Sequence, residues 1–214
     1  MSVATTSIGG AITGMKRLRE IIDTPKPDAP AMRKQHAPLD AHDRAFIGRS
    51  PFVLLATASR NGRCDVSPRG DLPGFVHVTD ERTLIIPDRP GNRRLDSYQN
   101  ILANPQAGLL FLVPNVDETL RVNGRAWLTE DADALGPLAM EGKPPRLGIV
   151  LEVEEVFFHC ARAFRRAHLW EPDAWIERSE LPTLGQILHD QLAAPDMSAD
   201  ELDGILETSN RTLY

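Results

Sequence analysis

The sequence predicts a mainly β protein, an antiparallel barrel of six or seven strands with α additions. Short apolar and β-branched runs follow one another along the chain, separated by turn residues such as Asn61-Gly62, which is typical of strands in hairpin order. One helix-like segment interrupts these runs and others flank them. The sequence contains no G-x-G-x-x-G after a strand, no P-loop and no G-x-S-x-G. These absences argue against dinucleotide-binding, phosphate-loop and hydrolase folds.

Residues 1–38 are predicted to be an N-terminal arm, because prolines punctuate the stretch "DTPKPDAPAMRKQHAP". A short helix is expected from Asp40, which is a suitable N-cap, to Gly48. The segments "FVLLATA" and "CDVSPRGD" are predicted to pair around Asn61-Gly62, which tolerates the positive φ of a tight hairpin turn. The segment "FVHVTDERTLIIPD" repeats this pattern and predicts a second pair of strands.

A helix is predicted within "LIIPDRPGNRRLDSYQNIL", residues 84–102. Apolar residues recur there with a three-four spacing, which predicts one buried helix face formed by Leu95, Tyr98, Ile101 and Leu102. Asn92 is the expected N-cap, and Asn104-Pro105 should end the helix because the residue before a proline is disfavoured in the helical conformation. Arg93 and Arg94 would then lie in its first turn.

These arginines are unexpected at a helix start, where the peptide dipoles already place positive charge. Free backbone N–H groups together with the guanidinium groups of Arg89, Arg93 and Arg94 suit a phosphate or carboxylate ligand. The alternative is a solvated turn in which the arginines pair with Asp88 or Asp96. The local pattern leaves both interpretations open.

Three further strands are predicted, in "AGLLFLVP", "TLRVNGRAWLTE" and "GIVLEVEEVFFHC". Asn123-Gly124 in the second segment suits a hairpin turn. The apolar alternation nevertheless continues through it, so one long strand with a bulge at Gly124 is equally consistent.

The C-terminal part predicts helices. Arg162, Arg165 and Arg166 have the spacing of one helix face, which is either solvated or reaches over a neighbouring subunit. Ser198 and Glu201 form a capping-box pattern at the start of a last helix. The predicted organisation is a barrel domain at 39–165, with a helical appendage at 166–214 packed on the same domain.

Composition narrows the range of functions. The 214 residues carry a formal net charge of -6, which argues against a nucleic-acid partner. No apolar run is long enough to span a bilayer and no secretory leader is evident, so a cytoplasmic protein without a membrane partner is expected. The two cysteines and six histidines lack paired metal-ligand spacing, so no metal site is predicted.

The run "PDRPGNRRLDSYQNILANPQAGLLFLVP" followed by "LRVNGRAWL" resembles the FMN-binding split barrel of the pyridoxamine 5'-phosphate oxidase-like superfamily. In that superfamily a strand, a Gly-Ser-Arg-Lys type turn and a helix hold the flavin phosphate. The resemblance extends from Asp40 to Cys160. With "SPRGDLPGF" and "HCARAF", the sequence looks most like a bacterial subgroup of uncharacterised flavoproteins.

This resemblance implies FMN as cofactor and assigns residues to it. Its phosphate would lie against Arg93 and Arg94, with Asn92 as a polar contact and Arg89 beside them. The ribityl chain or ring would lie against Ser67 and Arg69. The last two also have ordinary interpretations, as a turn serine and a surface arginine.

The resemblance also implies a homodimer with FMN at the subunit interface, where Arg165, Arg166 and Trp170 would close the site from the partner chain. The implied function is an oxidoreductase acting on a small molecule, although no catalytic residue stands out. A non-enzymatic binding module for deazaflavin or haem, or a true pyridoxamine 5'-phosphate oxidase, are the alternatives. The true oxidase has a terminal arginine segment, whereas this sequence has "ETSNRTLY", which argues against pyridoxal phosphate production.

Overall fold

The computed structural model describes residues 10–192, 196–211 and 213–214. The chain forms two compact units, and the first ends at Gln35. Helices α1 (Met15–Ile21) and α2 (Pro30–Arg33) belong to this unit, and neither contributes a buried residue. The predicted arm therefore contains two short helices within its described part, while residues 1–9 of that prediction lie outside the described residues.

The second unit, His36–Tyr214, contains one antiparallel sheet of seven strands. The order across the sheet is β2-β1-β5-β6-β7-β4-β3, and the sheet is not closed, with β2 and β3 at its edges. This confirms the mainly β prediction and fits a split barrel. The strands are β1 (Phe52–Ala58), β2 (Cys64–Gly70), β3 (His77–Val78), β4 (Thr83–Pro87), β5 (Gln106–Leu112), β6 (Thr119–Thr129) and β7 (Gly148–His159).

Local sequence explains the first hairpin. Val53 and Leu55 are fully buried while their neighbours on β1 are partly exposed, as expected for a strand with one face on the core. Gly62 has a φ of 83° in the turn that returns the chain as β2. All residues of β2 remain partly or fully exposed, so one edge of the sheet is open to a ligand.

The path of the long strand β6 decides between the hairpin turn and the bulge that were both consistent with Asn123-Gly124. The strand continues through these residues, and its pairing with β7 shifts between Asn123 and Gly124, leaving Glu154 without a partner residue on β6. The bulge prediction is confirmed and the hairpin alternative is wrong. A Cβ atom added to Gly124 would lie 1.9 Å from the carbonyl oxygen of Glu152, so glycine permits this close strand approach.

Helices α3 (Ala41–Ile47) and α4 (Asp96–Ala103) complete the core. Asp40 caps α3 as predicted, by accepting from the backbone N–H groups of His42 and Asp43. Ile47 of α3 and Ile101 of α4 are buried with the inward side chains of the sheet, among them Phe111, Leu120 and Leu151. The core thus holds α4 across one face of the sheet, beside β1, β2 and β6.

The remaining helices are α5 (Ala132–Leu135), α6 (Arg162–Ala167), α7 (Leu184–Leu192) and α8 (Ala199–Asn210). Ser198 and Glu201 form the predicted capping box of α8. Helices α7 and α8 pack closely at Gly185, whose backbone N–H donates to Asp203 Oδ1 at 2.7 Å.

Within the described ranges, no helix combines the length and the apolar character needed to cross a membrane.

Candidate functional site

A cleft of about 900 Å³ opens beside the edge strand β2. Its walls are β2, the segment between β4 and α4 with the start of α4, the loop before β7, and Tyr214. Six of the nine residues predicted to bind the cofactor line this cleft, namely Ser67, Arg69, Arg89, Asn92, Arg93 and Arg94. Residues from two separate predicted groups, on β2 and before α4, therefore meet at one place.

The start of α4 differs from the sequence prediction. The helix begins at Asp96, so Arg93 and Arg94 lie in a loop before it and the predicted N-cap at Asn92 is wrong. The Asn92 side chain instead accepts from the backbone N–H of Arg94 at 3.1 Å, a local bond that competes with helix formation. Arg93 and Leu95 have φ values of 55° and 63°, and such left-handed residues tend to occur at functional sites.

The side chains of this loop remain available to a ligand. Arg94 Nε lies 2.8 Å from Asp96 Oδ2, and this pair raises the pKa of Arg94. Both side chains are strongly exposed, and an exposed ion pair of this kind contributes little stability. Arg93 has no ion pair with any residue that the structure describes. An anionic ligand would therefore meet little competition for either guanidinium group.

Arg89 differs from these two because it is held inside the protein. Its Nε donates to Asp71 Oδ2 at 2.5 Å and its Nη2 to the carbonyl oxygen of Leu138 at 3.0 Å. The Asp71 side chain is 1% exposed and also accepts from the Tyr214 hydroxyl. Burial raises the pKa of Asp71, but the bonds from Tyr214, the Leu72 backbone and Arg89 outweigh burial and lower it. Arg89 thus has a structural role, because its bonds hold the wall of the cleft together.

The opposite wall contains two hydrogen-bonded networks between β2 and α4. Ser97 Oγ donates to Asp65 Oδ2 at 2.9 Å and lies 3.1 Å from Ser67 Oγ. These bonds fix the Ser67 hydroxyl at the cleft surface, where a donor or acceptor can meet a ligand.

In the second network, Tyr98 donates to Asp88, and Arg69 Nη1 lies 3.4 Å from the Tyr98 hydroxyl. Burial, together with the bond to Asp88, raises the pKa of Tyr98 to about 12, so this phenol stays protonated. Arg69 Nε is buried and has no partner among the residues that the structure describes. A buried donor without an acceptor is costly, so Arg69, which lines the cleft, has hydrogen-bonding capacity that the described residues leave unused.

The other three predicted residues are elsewhere in the chain. Arg165 Nε lies 2.9 Å from Asp117 Oδ2, and Trp170 donates its indole N–H to the carbonyl oxygen of Val116 at 3.0 Å. Arg166 is exposed on α6. None of the three lines the cleft of its own chain. Their predicted role requires a second subunit and stays a prediction.

Sequence reasoning missed several residues of the cleft, including Ser97, Lys143, Arg146 and Tyr214. Lys143 and Arg146 flank two prolines, a visible pattern that was not singled out. Tyr214 carries no local signal, because its partner Asp71 is 143 positions away along the chain.

One cluster of side chains carries metal-ligand atoms, although no metal site was predicted. His36, Asp40 and Asp43 offer ligand atoms within 4.8 Å of one another. Asp43 Oδ2 already accepts from the backbone N–H of Asp40 at 2.8 Å and pairs with His36 Nε2 at 2.9 Å. The bond from Asp40 belongs to the capping box of α3, and His36 pairs with the same Asp43 carboxylate, so these contacts give the cluster a structural explanation.

An open seven-stranded antiparallel sheet with flanking helices and an arginine-bearing cleft at its edge is the architecture of a split-barrel protein. A family model described as pyridoxamine 5'-phosphate oxidase matches residues 39–160, which is more than half of the chain. The chain belongs to the pyridoxamine 5'-phosphate oxidase family.

Several solved structures are similar to part of this chain at low sequence identity. HupZ from Group A Streptococcus is 16% identical with a TM-score of 0.47, over 56% of this chain and 93% of that chain. A Clostridium acetobutylicum protein related to general stress protein 26, of the pyridoxinephosphate oxidase family, is 15% identical with a TM-score of 0.43, over 55% and 85%. An FMN-binding protein from Syntrophomonas wolfei is 12% identical with a TM-score of 0.43, over 55% and 83%. No curated protein sequence matches the chain.

Proposed function

We propose that this protein is an FMN-binding flavoprotein that acts as an oxidoreductase on a small molecule in the cytoplasm. The observation that carries the proposal is the arginine loop before α4, which lines the same cleft as Arg69, a side chain whose buried Nε has no partner among the described residues. A phosphate group and a polar ring system, joined in one molecule, match these two features. Family membership supports this proposal.

In the proposed complex, Arg93 and Arg94 hold the phosphate by charge-assisted hydrogen bonds, and the Asn92 side chain keeps their loop in place. Ser67 and Arg69 contact the ribityl chain or ring, while Arg89 supports the wall through Asp71. FMN supplies the hydride chemistry when bound, and the protein binds and orients it. The split-barrel domain at 39–165 provides most of this site, and the helical appendage at 166–214 contributes Tyr214 to its wall.

Flavin uptake tests this proposal directly. We expect the purified protein to be yellow, or to become yellow with added FMN and to gain thermal stability, since a ligand that binds the folded state stabilises it. Anaerobic mixing with NADH, NADPH and reduced deazaflavin should bleach the flavin with at least one donor. A protein that shows neither flavin absorbance nor a thermal shift would exclude the FMN proposal, and bound flavin that no donor bleaches would exclude the oxidoreductase.

We further propose a homodimer in which Arg165, Arg166 and Trp170 of one subunit close the cleft of the other. Their position outside the cleft of their own chain motivates this arrangement. A twofold interface would complete both clefts by the same contacts. Light scattering of the FMN-loaded protein should give twice the mass of the 23.7 kDa chain. A monomer mass with FMN bound would contradict the shared site.

A further inference from the structure

Three side chains with metal-ligand atoms meet at the start of α3, outside the cleft. We name His36, Asp40 and Asp43 the cap cluster, because Asp40 caps α3. Each residue offers a ligand atom, and these atoms lie within 4.8 Å of one another. All three residues belong to the second unit of the chain, and none of them lines the cleft. The cap cluster is therefore separate from the proposed flavin site.

Backbone hydrogen bonds fix the positions of the cap cluster. The backbone N–H of His36 donates to the carbonyl oxygen of Val156 on β7 at 3.1 Å, and the Val156 N–H donates back to His36 at 2.8 Å. In the capping box, the Asp40 N–H donates to Asp43 Oδ2 at 2.8 Å and the Asp43 N–H donates to Asp40 Oδ1 at 3.0 Å. A cation that binds these side chains would thus meet groups that are already ordered, which lowers the cost of binding.

The capping contacts explain where the side chains lie, but they use only part of the carboxylate oxygens. Capping engages Asp40 Oδ1 and Asp43 Oδ2, and His36 Nε2 also pairs with Asp43 Oδ2 at 2.9 Å. The Asp43 side chain is 0% exposed, and its Oδ1 is buried without a hydrogen-bond partner among the described residues. Asp40 Oδ2 lies 3.9 Å from His36 Nε2, which is too far for a hydrogen bond. Each carboxylate therefore keeps an oxygen that capping does not use.

The chemistry of this donor set favours a divalent transition-metal ion. A buried carboxylate oxygen without a partner is costly, and two carboxylates this close repel each other, so a cation beside both is favourable. The imidazole nitrogen of His36 argues against Ca²⁺ and Mg²⁺, whereas one imidazole with two carboxylates suits Zn²⁺. The side chains of His36 and Asp40 are 36% and 51% exposed, so solvent can reach the site and supply a further ligand.

We propose that the cap cluster is a Zn²⁺-type metal site, in which His36 Nε2 and the carboxylates of Asp40 and Asp43 bind the ion. The metal takes the place of the proton that His36 Nε2 shares with Asp43 Oδ2, since a ligating imidazole nitrogen must be deprotonated. His36 is bridged to β7 and both aspartates belong to the cap of α3, so the bound ion joins these two elements. Its role is to stabilise the fold, and it does not depend on the proposed flavin chemistry.

Zinc titration of the full chain tests this site. Calorimetry after chelator treatment, at about pH 8 so that histidine is mainly neutral, should show one Zn²⁺ bound per chain. A ligand that binds only the folded state stabilises it, so Zn²⁺ at roughly 100-fold above its Kd should raise the melting temperature by at least about 4 °C.

Two variants remove a metal ligand and keep the local structure. His36→Gln keeps an N–H donor for Asp43, and Asp40→Asn keeps the helix cap because asparagine caps as well as aspartate. Each should bind Zn²⁺ at least about 10-fold more weakly, since even the loss of a group that only supports a ligand costs about that much. Both metal-free variants should unfold cooperatively, as the metal-free parent does, and should take up FMN as the parent does.

His189→Gln is the matched control. His189 Nδ1 lies 3.4 Å from Asp190 Oδ1, and its side chain is 38% exposed, which is close to the value for His36. Among the residues that the structure describes, this pair has no third ligand. The control variant should therefore bind Zn²⁺ as the parent does.

Three outcomes would overturn the metal site. The first is a parent protein that does not bind Zn²⁺ in the micromolar range. The second is unchanged Zn²⁺ affinity in a folded His36→Gln or Asp40→Asn variant. The third is equal weakening in His189→Gln and His36→Gln, which would assign the binding to surface histidines in general. FMN uptake is measured separately, so none of these outcomes bears on the proposed function.

Discussion

Replacing Arg93 or Arg94 by alanine is expected to weaken FMN binding by roughly 10-fold to 150-fold, because each removes charge-assisted hydrogen bonds to a phosphate dianion. Within the described residues, these two side chains have few other interaction partners. Arg94 has only an exposed pair with Asp96, and Arg93 has no ion pair in the described residues. Dissociation constants from flavin fluorescence titration of the parent and each variant measure the effect.

Riboflavin is the control ligand, since it keeps the ring and ribityl chain but lacks the phosphate. Its affinity should change little in either variant. Stability should also change by no more than about 0.5 kcal/mol, because both side chains lie in an exposed loop. The left-handed backbone at position 93 is similarly unfavourable for alanine and for arginine, so this substitution adds no backbone strain. Equal loss of FMN and riboflavin would indicate damage to the cleft, and unchanged binding of both would favour the solvated turn.

The sheet could be predicted from sequence because its determinants are local. The Asn61-Gly62 turn follows from the residues that tolerate positive φ, and Gly62 adopts it. The alternation across Gly124 could have reflected two strands or one, and only the pairing with β7 distinguishes them. A hairpin and a bulge place the same residue types at that position, so the local pattern was insufficient.

The start of α4 could not be predicted because the spacing of apolar residues does not indicate which residues adopt a left-handed backbone conformation. Leu95 has the spacing expected of the buried helix face, yet its φ is 63° and it is 51% exposed. Asn92 was recognised as a residue that bonds to backbone N–H groups, but its bond holds a loop and not a helix end. The choice between these two roles depends on tertiary packing.

The candidate site likewise contains some residues that the sequence identifies and some contacts that it does not. Arg93 and Arg94 were identifiable from their unusual place in the sequence. The pairing of Arg89 with Asp71 was not identifiable, because it joins the segment after β4 to the residue that follows β2. The segment before β7 is attached through the backbone carbonyl groups of Leu138 and Leu147, and backbone groups are the same in every residue. Such contacts become visible only when the fold brings the segments together.

The bulge between β6 and β7 leads to the largest stability effect that we expect. Replacing Gly124 by alanine should lower the free energy of unfolding by at least about 3 kcal/mol, the upper end of the usual range for overpacking. The added Cβ atom would lie 1.9 Å from the Glu152 carbonyl oxygen and 3.1 Å from Leu151 Cδ2. Because the first contact is with backbone, no side-chain rotation relieves it, and the two longest strands must separate. Thermal unfolding should show a melting temperature at least about 6 °C below that of the parent.

Gly136→Ala is the matched control for this substitution. A Cβ atom at Gly136 meets no other atom within 4 Å, and the backbone there has a φ of -52°, which alanine adopts freely. This variant should be as stable as the parent or more stable by about 0.4 to 1 kcal/mol, because alanine restricts the unfolded chain. The two glycine substitutions are thus expected to differ in sign. Equal melting temperatures for Gly124→Ala and the parent would contradict this prediction. They would show that β6 and β7 can separate at the bulge without loss of stability, and that their close approach at Gly124 does not require glycine.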